Sequence, residues 1–434
     1  MPAQLATRVS RRRDYVTSFA AECTFILSYL LVFRIVADHF GPAGFGEYAL
    51  SRRTLAFLLP LGAVGMDIAV ARFVAYAVGR DEEQRAYLPA ALVILGIAVA
   101  VQAAILLTFQ EFWADFFFGS SRFVDLVPAL ALLVAGNGVF AVAYGNFRGH
   151  LRILHANILR VVVHGVAPLV AAIVLRRSVA DLLYGIGGAW LALSLGALVF
   201  TDMSFHRPVE RAIALARYSL PRVPGDLLAL LMFAVPGIVV AHVSDITVAG
   251  NVAFGVATIG MFAVAAFPVG FVLLPVASRL IASGSVGELR AQVFGVARVV
   301  GALIVAGLLV FEVFAYQIVT LYLGPAFAGS VSTLRVLMLG ALPWALYISL
   351  RSIIDARHTR AVNAINVAIS FGLFLASTLI LWHWFELAVV VVPTFVASLY
   401  VLGALTVVEV WRITRTPREA KLVTEPEEVM EPVL

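Results

Sequence analysis

RIVADHFGPAGFGEYALSRRTLAFLLPLGAVGMDIAVARFVAY, residues Arg34–Tyr76, is the stretch from which the fold of this chain can be predicted. It joins the end of one long apolar segment to the whole of the next, yet it carries Arg34, Arg52 and Arg53 in hydrophobic surroundings. A cation inside a bilayer span costs about 2.5–3.5 kcal/mol on insertion scales. A chain tolerates such arginines where they face a water-filled cavity or an anion, so the stretch predicts a membrane protein with a polar interior.

The composition of the whole chain indicates the same class. Its 434 residues are 62% hydrophobic and 13% charged, whereas soluble domains are nearer half apolar and a quarter charged. Apolar runs of about 20 residues, the length that crosses a bilayer as a helix, recur from end to end. A transmembrane β-barrel would instead show alternating segments of about 10 residues. We therefore predict an all-α, polytopic membrane protein.

The apolar runs predict about twelve transmembrane helices in two lobes of six. The predicted domains are an N-terminal lobe (1–202), a cytoplasmic linker (203–218), a C-terminal lobe (219–411) and a cytoplasmic tail (412–434) that is rich in Glu and expected to be disordered. The predicted helices lie near residues 15–37, 47–69, 87–109, 125–146, 156–175, 181–201, 219–242, 247–277, 290–314, 330–351, 361–382 and 387–411.

The placement of basic residues predicts the orientation. With the N-terminus inside, 22 of the 31 Lys and Arg residues fall in inner segments and 3 in outer loops, and the remaining 6 lie within spans. Cytoplasmic loops carry the excess of Lys and Arg, so both termini are expected to be cytoplasmic. The outer loops are short; the longest spans about Gln110–Val124. The single cysteine, Cys23, excludes an intramolecular disulfide.

Similar residues recur in the two halves at offsets of 204 to 207. Chance similarity among apolar helices is the alternative, but four matches in the same order favour two related six-helix units. Units of six spans enter the membrane with the same orientation, which places the axis that relates them along the membrane normal. The four pairs are Gly46 with Gly250, Arg72 with Arg279, Gly119 with Gly324, and Asn157 with Asn363.

Five stretches resemble the polysaccharide and O-antigen flippases of the multidrug/oligosaccharidyl-lipid/polysaccharide exporter superfamily. The resemblance covers nearly the whole chain in length and spacing. The chain departs from the family in helix 7. Family members often carry a Ser-Asp-Arg-like polar stretch there, whereas this chain has MFAVPGIVVAHV, so the sequence does not support a polar role for this helix. The five stretches are FRIVADHFGPAGFGEYAL, LGAVGMDIAVARFVA, ARYSLPRVPGDLL, LYLGPAFAGSVSTLRVLML and LRSIIDARHTRAVNAINVAIS.

What the resemblance implies is translocation of an undecaprenyl-pyrophosphate-linked oligosaccharide by alternating access between two lobes in a V-shaped arrangement. It implies a bacterial cytoplasmic (inner) membrane protein of surface polysaccharide biosynthesis that is a monomer and not an enzyme. No cofactor is expected beyond H⁺ or Na⁺ as coupling ion. A polysaccharide polymerase and glycosyltransferases of the same pathway are the expected partners, besides the lipid bilayer and the lipid-linked oligosaccharide itself.

The arginines near the end of helix 1 and the start of helix 2 are the main candidates for substrate binding. The guanidinium fork stays charged and donates two hydrogen bonds, which suits a pyrophosphate. Counting from the expected helix ends, Arg34, Arg52 and Arg53 lie at one depth, about 6–9 Å from the outer end. The alternative is that these arginines snorkel to the outer interface or pair with Asp38 or Glu47.

Further candidates lie elsewhere in the spans. Arg335 and Arg298 are cavity candidates in the second lobe, with an interfacial position as the alternative for each. Glu22 and Asp226 occupy comparable inner positions in the two repeats and are candidates for coupling to H⁺ or Na⁺. Helix capping or pairing with nearby arginines is the alternative for both. For Arg160 an inner-interface anchor is favoured.

Several kinds of chemistry lack their motifs. Lys421, in the tail, is the only lysine, so the chain has no Walker A motif, and no HExxH, zinc-type Cys/His spacing or plausible GxSxG is present. Nothing indicates a nucleic-acid groove or nucleic-acid partner. Two alternatives to a flippase remain: a drug or cation antiporter of the same superfamily, which should carry deep acidic residues, and a polysaccharide polymerase or ligase, which should carry a large outer loop.

Overall fold

The computed structural model describes residues 2–78, 84–205, 207–263, 273, 276–281, 283–358 and 361–415. Within these ranges the chain is helical and contains no β-strand. Side chains are described from residue 17 onward, except those of residues 78, 84, 222, 225 and 226. The tail beyond residue 415 and most of the second half of predicted helix 8 therefore lie outside the described residues.

Sixteen named helices make up most of this structure. Nine helical stretches of the described chain are long and apolar enough to cross a membrane, and Leu227–Val243 and Ile246–Phe262 are shorter apolar helices. The helices are α1 (Pro2–Ala63), α2 (Met66–Val78), α3 (Tyr87–Thr108), α4 (Gln110–Phe118), α5 (Leu126–Gly149), α6 (Ile153–Arg160), α7 (Ala167–Val174), α8 (Val179–Leu198), α9 (Pro208–Ser219), α10 (Val223–Val243), α11 (Ile246–Phe262), α12 (Val286–Tyr322), α13 (Val331–Met338), α14 (Ala341–Arg357), α15 (Val362–Leu381) and α16 (Leu387–Ile413).

Helix α1 is a hairpin of two helical arms that reverses at Gly41. Gly41 is its one non-helical residue, with φ 64° and ψ −170°, a left-handed φ that glycine adopts without steric cost. The ring centroids of Phe33 and Tyr48 lie 5.2 Å apart, although fifteen residues of straight helix would separate them by about 22 Å. The loop predicted between residues 38 and 46 is therefore wrong, because one glycine suffices to reverse the chain.

Other predicted boundaries also move. The predicted linker 203–218 contains most of the helix α9, and the predicted outer loop 110–124 contains the helix α4. Predicted helix 2 continues past residue 69, since α2 runs to Val78 after a turn at Val64–Gly65. Predicted helix 5 is α6 and α7 joined by a π-helical turn, Val161–Val166. These segments all pair their backbone groups locally, as helices in a bilayer must.

The chain divides into two compact units. In the first unit, α5 packs on α8 so closely that a Cβ placed on Gly136 would lie 2.8 Å from the carbonyl oxygen of Gly187. In the second, Leu289, Leu350 and Ile353 belong to one buried apolar cluster. The first unit consists of the described residues of Met1–Ala257, Phe314–Arg335 and Leu381–Val392, and the second of those of Thr258–Val313, Val336–Ile380 and Pro393–Leu434. The predicted lobe boundaries at 202 and 219 stay a prediction.

Glycines of the internal repeat make reciprocal contacts within the first unit. Gly46 and Gly250 touch each other, since a Cβ on Gly250 would lie 2.1 Å from the Cα of Gly46. A Cβ on Gly119 would meet the carbonyl of Ala241, and one on Gly324 would lie 3.9 Å from the Nη1 of Arg34. Ala241 and Arg34 are themselves 207 positions apart. The structure therefore brings Gly46 and Gly250, one of the four pairs matched in the sequence, into direct contact.

Candidate functional site

Arg34 lies on the first arm of α1 and is bound to the end of α12. Its Nη1 donates a hydrogen bond to the carbonyl oxygen of Leu323 at 3.2 Å and lies 3.8 Å from a carboxylate oxygen of Asp38. The Asp38 side chain is 68% exposed, so this ion pair neutralises Arg34 weakly. The end of a helix carries partial negative charge on its last carbonyls, which gives Arg34 a second source of stabilisation.

Arg52 and Arg53 lie on the second arm of α1 and contact different helices. The Nε of Arg53 donates to the carbonyl oxygen of Ala253 on α11 at 3.4 Å. The guanidinium carbon of Arg52 lies instead over two aromatic rings, 5.2 Å from the centroid of Tyr29 and 5.7 Å from that of Trp190 on α8. Successive residues point about 100° apart on a helix, so the structure separates these neighbours.

Arg52 is the least satisfied of the three arginines. Its Nε is buried and makes no hydrogen bond to any described group, and no ion pair joins Arg52 to a described carboxylate. The faces of Tyr29 and Trp190 attract the cation through their ring quadrupoles. The Nε1 of Trp190 is likewise buried without a described acceptor. Within the described structure, both donors are therefore without an acceptor.

The shared depth predicted for the three arginines is wrong. The contacts Phe33–Tyr48 and Tyr29–Arg52 define one antiparallel register of the two arms. Between the two contacts, moving four residues back on the first arm corresponds to moving four residues forward on the second. Arg52 therefore faces Tyr29, which lies five residues, or about 7 Å, further from the bend at Gly41 than Arg34 does. The prediction assumed a loop of several residues between the helices, and the single-residue reversal removes that loop.

A π-helical turn places a histidine beside the arginine–tryptophan contact. His164 lies in the π turn Val161–Val166, with its ring 4.4 Å from the ring of Trp190 and 4.2 Å from that of Phe140. Such π turns are rare and frequently occur at functional sites. The participation of Tyr29 and Trp190 could not be predicted from the sequence, because their proximity to Arg52 depends on the register of the α1 hairpin.

The remaining arginine candidates are less enclosed. Arg335, on α13, belongs to the first unit and is exposed. Arg298, on α12, belongs to the second unit and is also exposed. The part of both residues in substrate binding stays a prediction.

Glu22, one of the two candidates for ion coupling, is paired. Its carboxylate lies 2.8 Å from the guanidinium of Arg160, and both side chains are about one-third exposed. Next to this pair, the amide of Asn157 donates to the hydroxyl of Ser18 at 3.0 Å. The structure therefore shows the alternative predicted for Glu22, which is pairing with a nearby arginine. The ion pair links α1 to α6. The side chain of Asp226, the second candidate, lies outside the described residues.

Comparison with solved structures identifies the class of fold. An inward-facing MATE family multidrug resistance transporter of the MOP superfamily aligns with a TM-score of 0.71 and 16% identity over 91% of this chain and 96% of that chain. The lipid II flippase MurJ, in an inward closed conformation, aligns with a TM-score of 0.69 and 12% identity, over 91% and 90%. The Vibrio cholerae MATE transporter VcmN aligns with a TM-score of 0.55 and 15% identity, over 92% and 98%.

These matches define a multi-pass membrane protein with the fold of MOP-superfamily transporters. The family model described as Polysaccharide biosynthesis protein matches residues 16–281. Because the match covers more than half of the chain, the protein belongs to this family, and the expected resemblance to polysaccharide flippases of the superfamily is confirmed. A search of curated proteins finds no match.

Proposed function

We propose that this protein translocates an undecaprenyl-pyrophosphate-linked oligosaccharide across the bacterial cytoplasmic membrane for the synthesis of a surface polysaccharide. Membership of the polysaccharide biosynthesis family supports the pathway. The fold shared with a lipid II flippase supports a lipid-linked cargo. Both termini are then cytoplasmic, and the transport cycle exposes the arginines of α1 to each side of the membrane in turn.

The observation that carries this proposal is the uncompensated positive charge inside the α1 hairpin. Arg34, Arg52 and Arg53 lie within the apolar stretch Thr17–Ala63, on the two arms of the α1 hairpin. Among the described residues only Asp38 forms an ion pair with any of them, and it does so weakly at 3.8 Å. A pyrophosphate carries the opposite charge and accepts the paired donors of a guanidinium. A binding path for an anionic head group therefore explains why the span retains these costly residues.

The same charges disfavour a drug or cation antiporter. A cationic cargo needs acidic residues deep in the spans, and Glu22, an acidic candidate, is engaged by Arg160. A polymerase or ligase is disfavoured because the predicted outer loop 110–124 is short and contains the helix α4.

Arg52 offers the sharpest test, because its side chain makes no hydrogen bond to the described residues whose loss would disturb the fold. In cells that depend on this protein for surface polysaccharide, Arg52→Gln should reduce the polysaccharide at least tenfold and cause lipid-linked intermediates to accumulate, at normal protein abundance. Arg177→Gln, which neutralises an exposed arginine in the loop before α8, is the matched control. Normal polysaccharide in the double variant Arg34→Gln/Arg52→Gln would refute the proposal.

A further inference from the structure

A groove runs along the surface of the first unit. It lies between α8 and the helical stretch formed by α6, the π turn and α7. One part has a volume of about 500 Å³ and is lined by Val, Ala, Leu and Gly side chains only. The other part, about 550 Å³, contains Arg152 and His155 at one end. The two parts share Val162 and Leu193, so they form one continuous groove.

The charged part of the groove has the depth of one leaflet. It extends from Arg152 to Val162 along α6, and ten residues of helix rise about 15 Å. The hydrocarbon core of a bilayer is about 30 Å thick, so this part matches half of it. Its floor on α8 is open because Ala192 and Gly196 are small, and a Cβ on Gly196 would meet no atom within 4 Å. An apolar groove of this shape loses contacts unless a hydrocarbon chain fills it.

Arg152 closes this part of the groove with an unneutralised charge. Its guanidinium makes no hydrogen bond or ion pair with any described residue. The backbone holds it in place: the Arg152 N–H donates to the carbonyl oxygen of Phe147 at 2.8 Å, and the Arg152 carbonyl accepts from Ala156 at 3.1 Å. His155 stacks on Phe147 with ring centroids 5.9 Å apart. An exposed arginine on a hydrogen-bonded backbone thus lies at the mouth of an apolar groove of leaflet depth.

We propose that this groove binds an anionic glycerophospholipid from the leaflet at the Arg152 end. The phosphate accepts hydrogen bonds from the Arg152 guanidinium, and one acyl chain lies along Ile158, Ala192 and Gly196. Basic pockets between membrane helices bind anionic head groups in this way. The groove lies entirely within the first unit and involves none of the arginines proposed for the cargo, so this site does not depend on the proposed function.

Native mass spectrometry of the purified full-length protein tests the proposal. The probes are phosphatidylglycerol and phosphatidylcholine with identical acyl chains. Wild type should retain phosphatidylglycerol more strongly, and Arg152→Gln should lower its retention about fivefold, since one arginine near a membrane surface contributes about a factor of five. Arg177→Gln, at the opposite end of this helical stretch, should retain the lipid as wild type does.

A second pair of variants tests the acyl groove. Gly196→Leu fills the groove with a side chain and should lower phosphatidylglycerol retention, whereas Gly188→Leu introduces the same side chain at another open position of α8, outside the groove. Thermal unfolding checks that both variants fold. If Gly196→Leu does not fold, the retention of phosphatidylglycerol by Arg152→Gln, compared with wild type and Arg177→Gln, tests the proposal.

Equal retention of the two lipids by wild type, or no effect of Arg152→Gln, would overturn the proposal. Displacement of phosphatidylglycerol by an equal amount of undecaprenyl phosphate would also overturn it, because the groove would then belong to the carrier lipid.

Discussion

The contact between Gly46 and Gly250 allows a quantitative test of the packing of α1 on α11. A Cβ on Gly46 would lie 2.2 Å from the carbonyl oxygen of Ile246 and 2.8 Å from its carbonyl carbon, whereas ordinary contacts begin near 3.4 Å. These are backbone atoms, so Gly46→Ala requires the helices to separate by about an ångström. Overpacking of this kind costs about 1–3 kcal/mol, offset by about 1 kcal/mol from the higher helix propensity of alanine.

Gly188→Ala isolates the packing effect, because it gives the same gain in helix propensity in α8 where no atom lies within 4 Å. The midpoint of thermal unfolding in one detergent should therefore be lower for Gly46→Ala than for Gly188→Ala by the equivalent of about 1–3 kcal/mol. In the double variant Gly46→Ala/Gly250→Ala, the second change should cost less than it does alone, because the first has already separated the helices. Equal midpoints for Gly46→Ala and Gly188→Ala would refute the close approach.

Three further outcomes are expected. If the Glu22–Arg160 pair is structural, Glu22→Arg or Arg160→Glu alone should reduce protein abundance, and the double exchange should restore both abundance and polysaccharide; restored abundance without polysaccharide would instead identify Glu22 as a coupling group. A reporter fused after Phe118 should read outside and one after Arg357 inside, whereas the reverse would contradict the predicted orientation. Gly119→Ala should lower the unfolding midpoint by the equivalent of at least 1 kcal/mol, because Gly119 has φ +72° and faces a backbone carbonyl; an unchanged midpoint would show that the α4 turn relaxes.

Most helices could be predicted from the sequence because a span of about 20 apolar residues is a signal in itself. The helices α3, α15 and α16 begin and end within two residues of their predicted bounds. The hairpin bend could not be predicted, because FGPAGFGEY contains three glycines and a proline, a composition that is typical of a loop. Every one of these residues except Gly41 is nevertheless in a helix, and that depends on packing against the other arm of the hairpin, as in the contact between Phe33 and Tyr48.

The arginines show how far the sequence could predict the site. It identified Arg34, Arg52 and Arg53 because charge in an apolar run is conspicuous whatever the fold. It could not assign their partners, since the Leu323 and Ala253 carbonyls that accept from Arg34 and Arg53 are distant in sequence. It also placed Arg52 at the depth of Arg34, because the register of the α1 hairpin is set by aromatic contacts that no local pattern encodes.

The energetic balance of Arg52 supports the proposal that an anion binds there. A guanidinium within a span costs about 2.5–3.5 kcal/mol, and a cation over a ring recovers about 0.5–1 kcal/mol when exposed and about 2 kcal/mol when desolvated. Tyr29 and Trp190, at 5.2 and 5.7 Å from the guanidinium carbon, can offset much of that cost, but they accept no hydrogen bond from the buried Nε. Arg34 and Arg53, by contrast, each donate a hydrogen bond to a backbone carbonyl oxygen. Under the proposed function, an oxygen of a bound pyrophosphate supplies the acceptor that Arg52 lacks, and Arg52 is then the residue of the three whose retention depends most on the cargo.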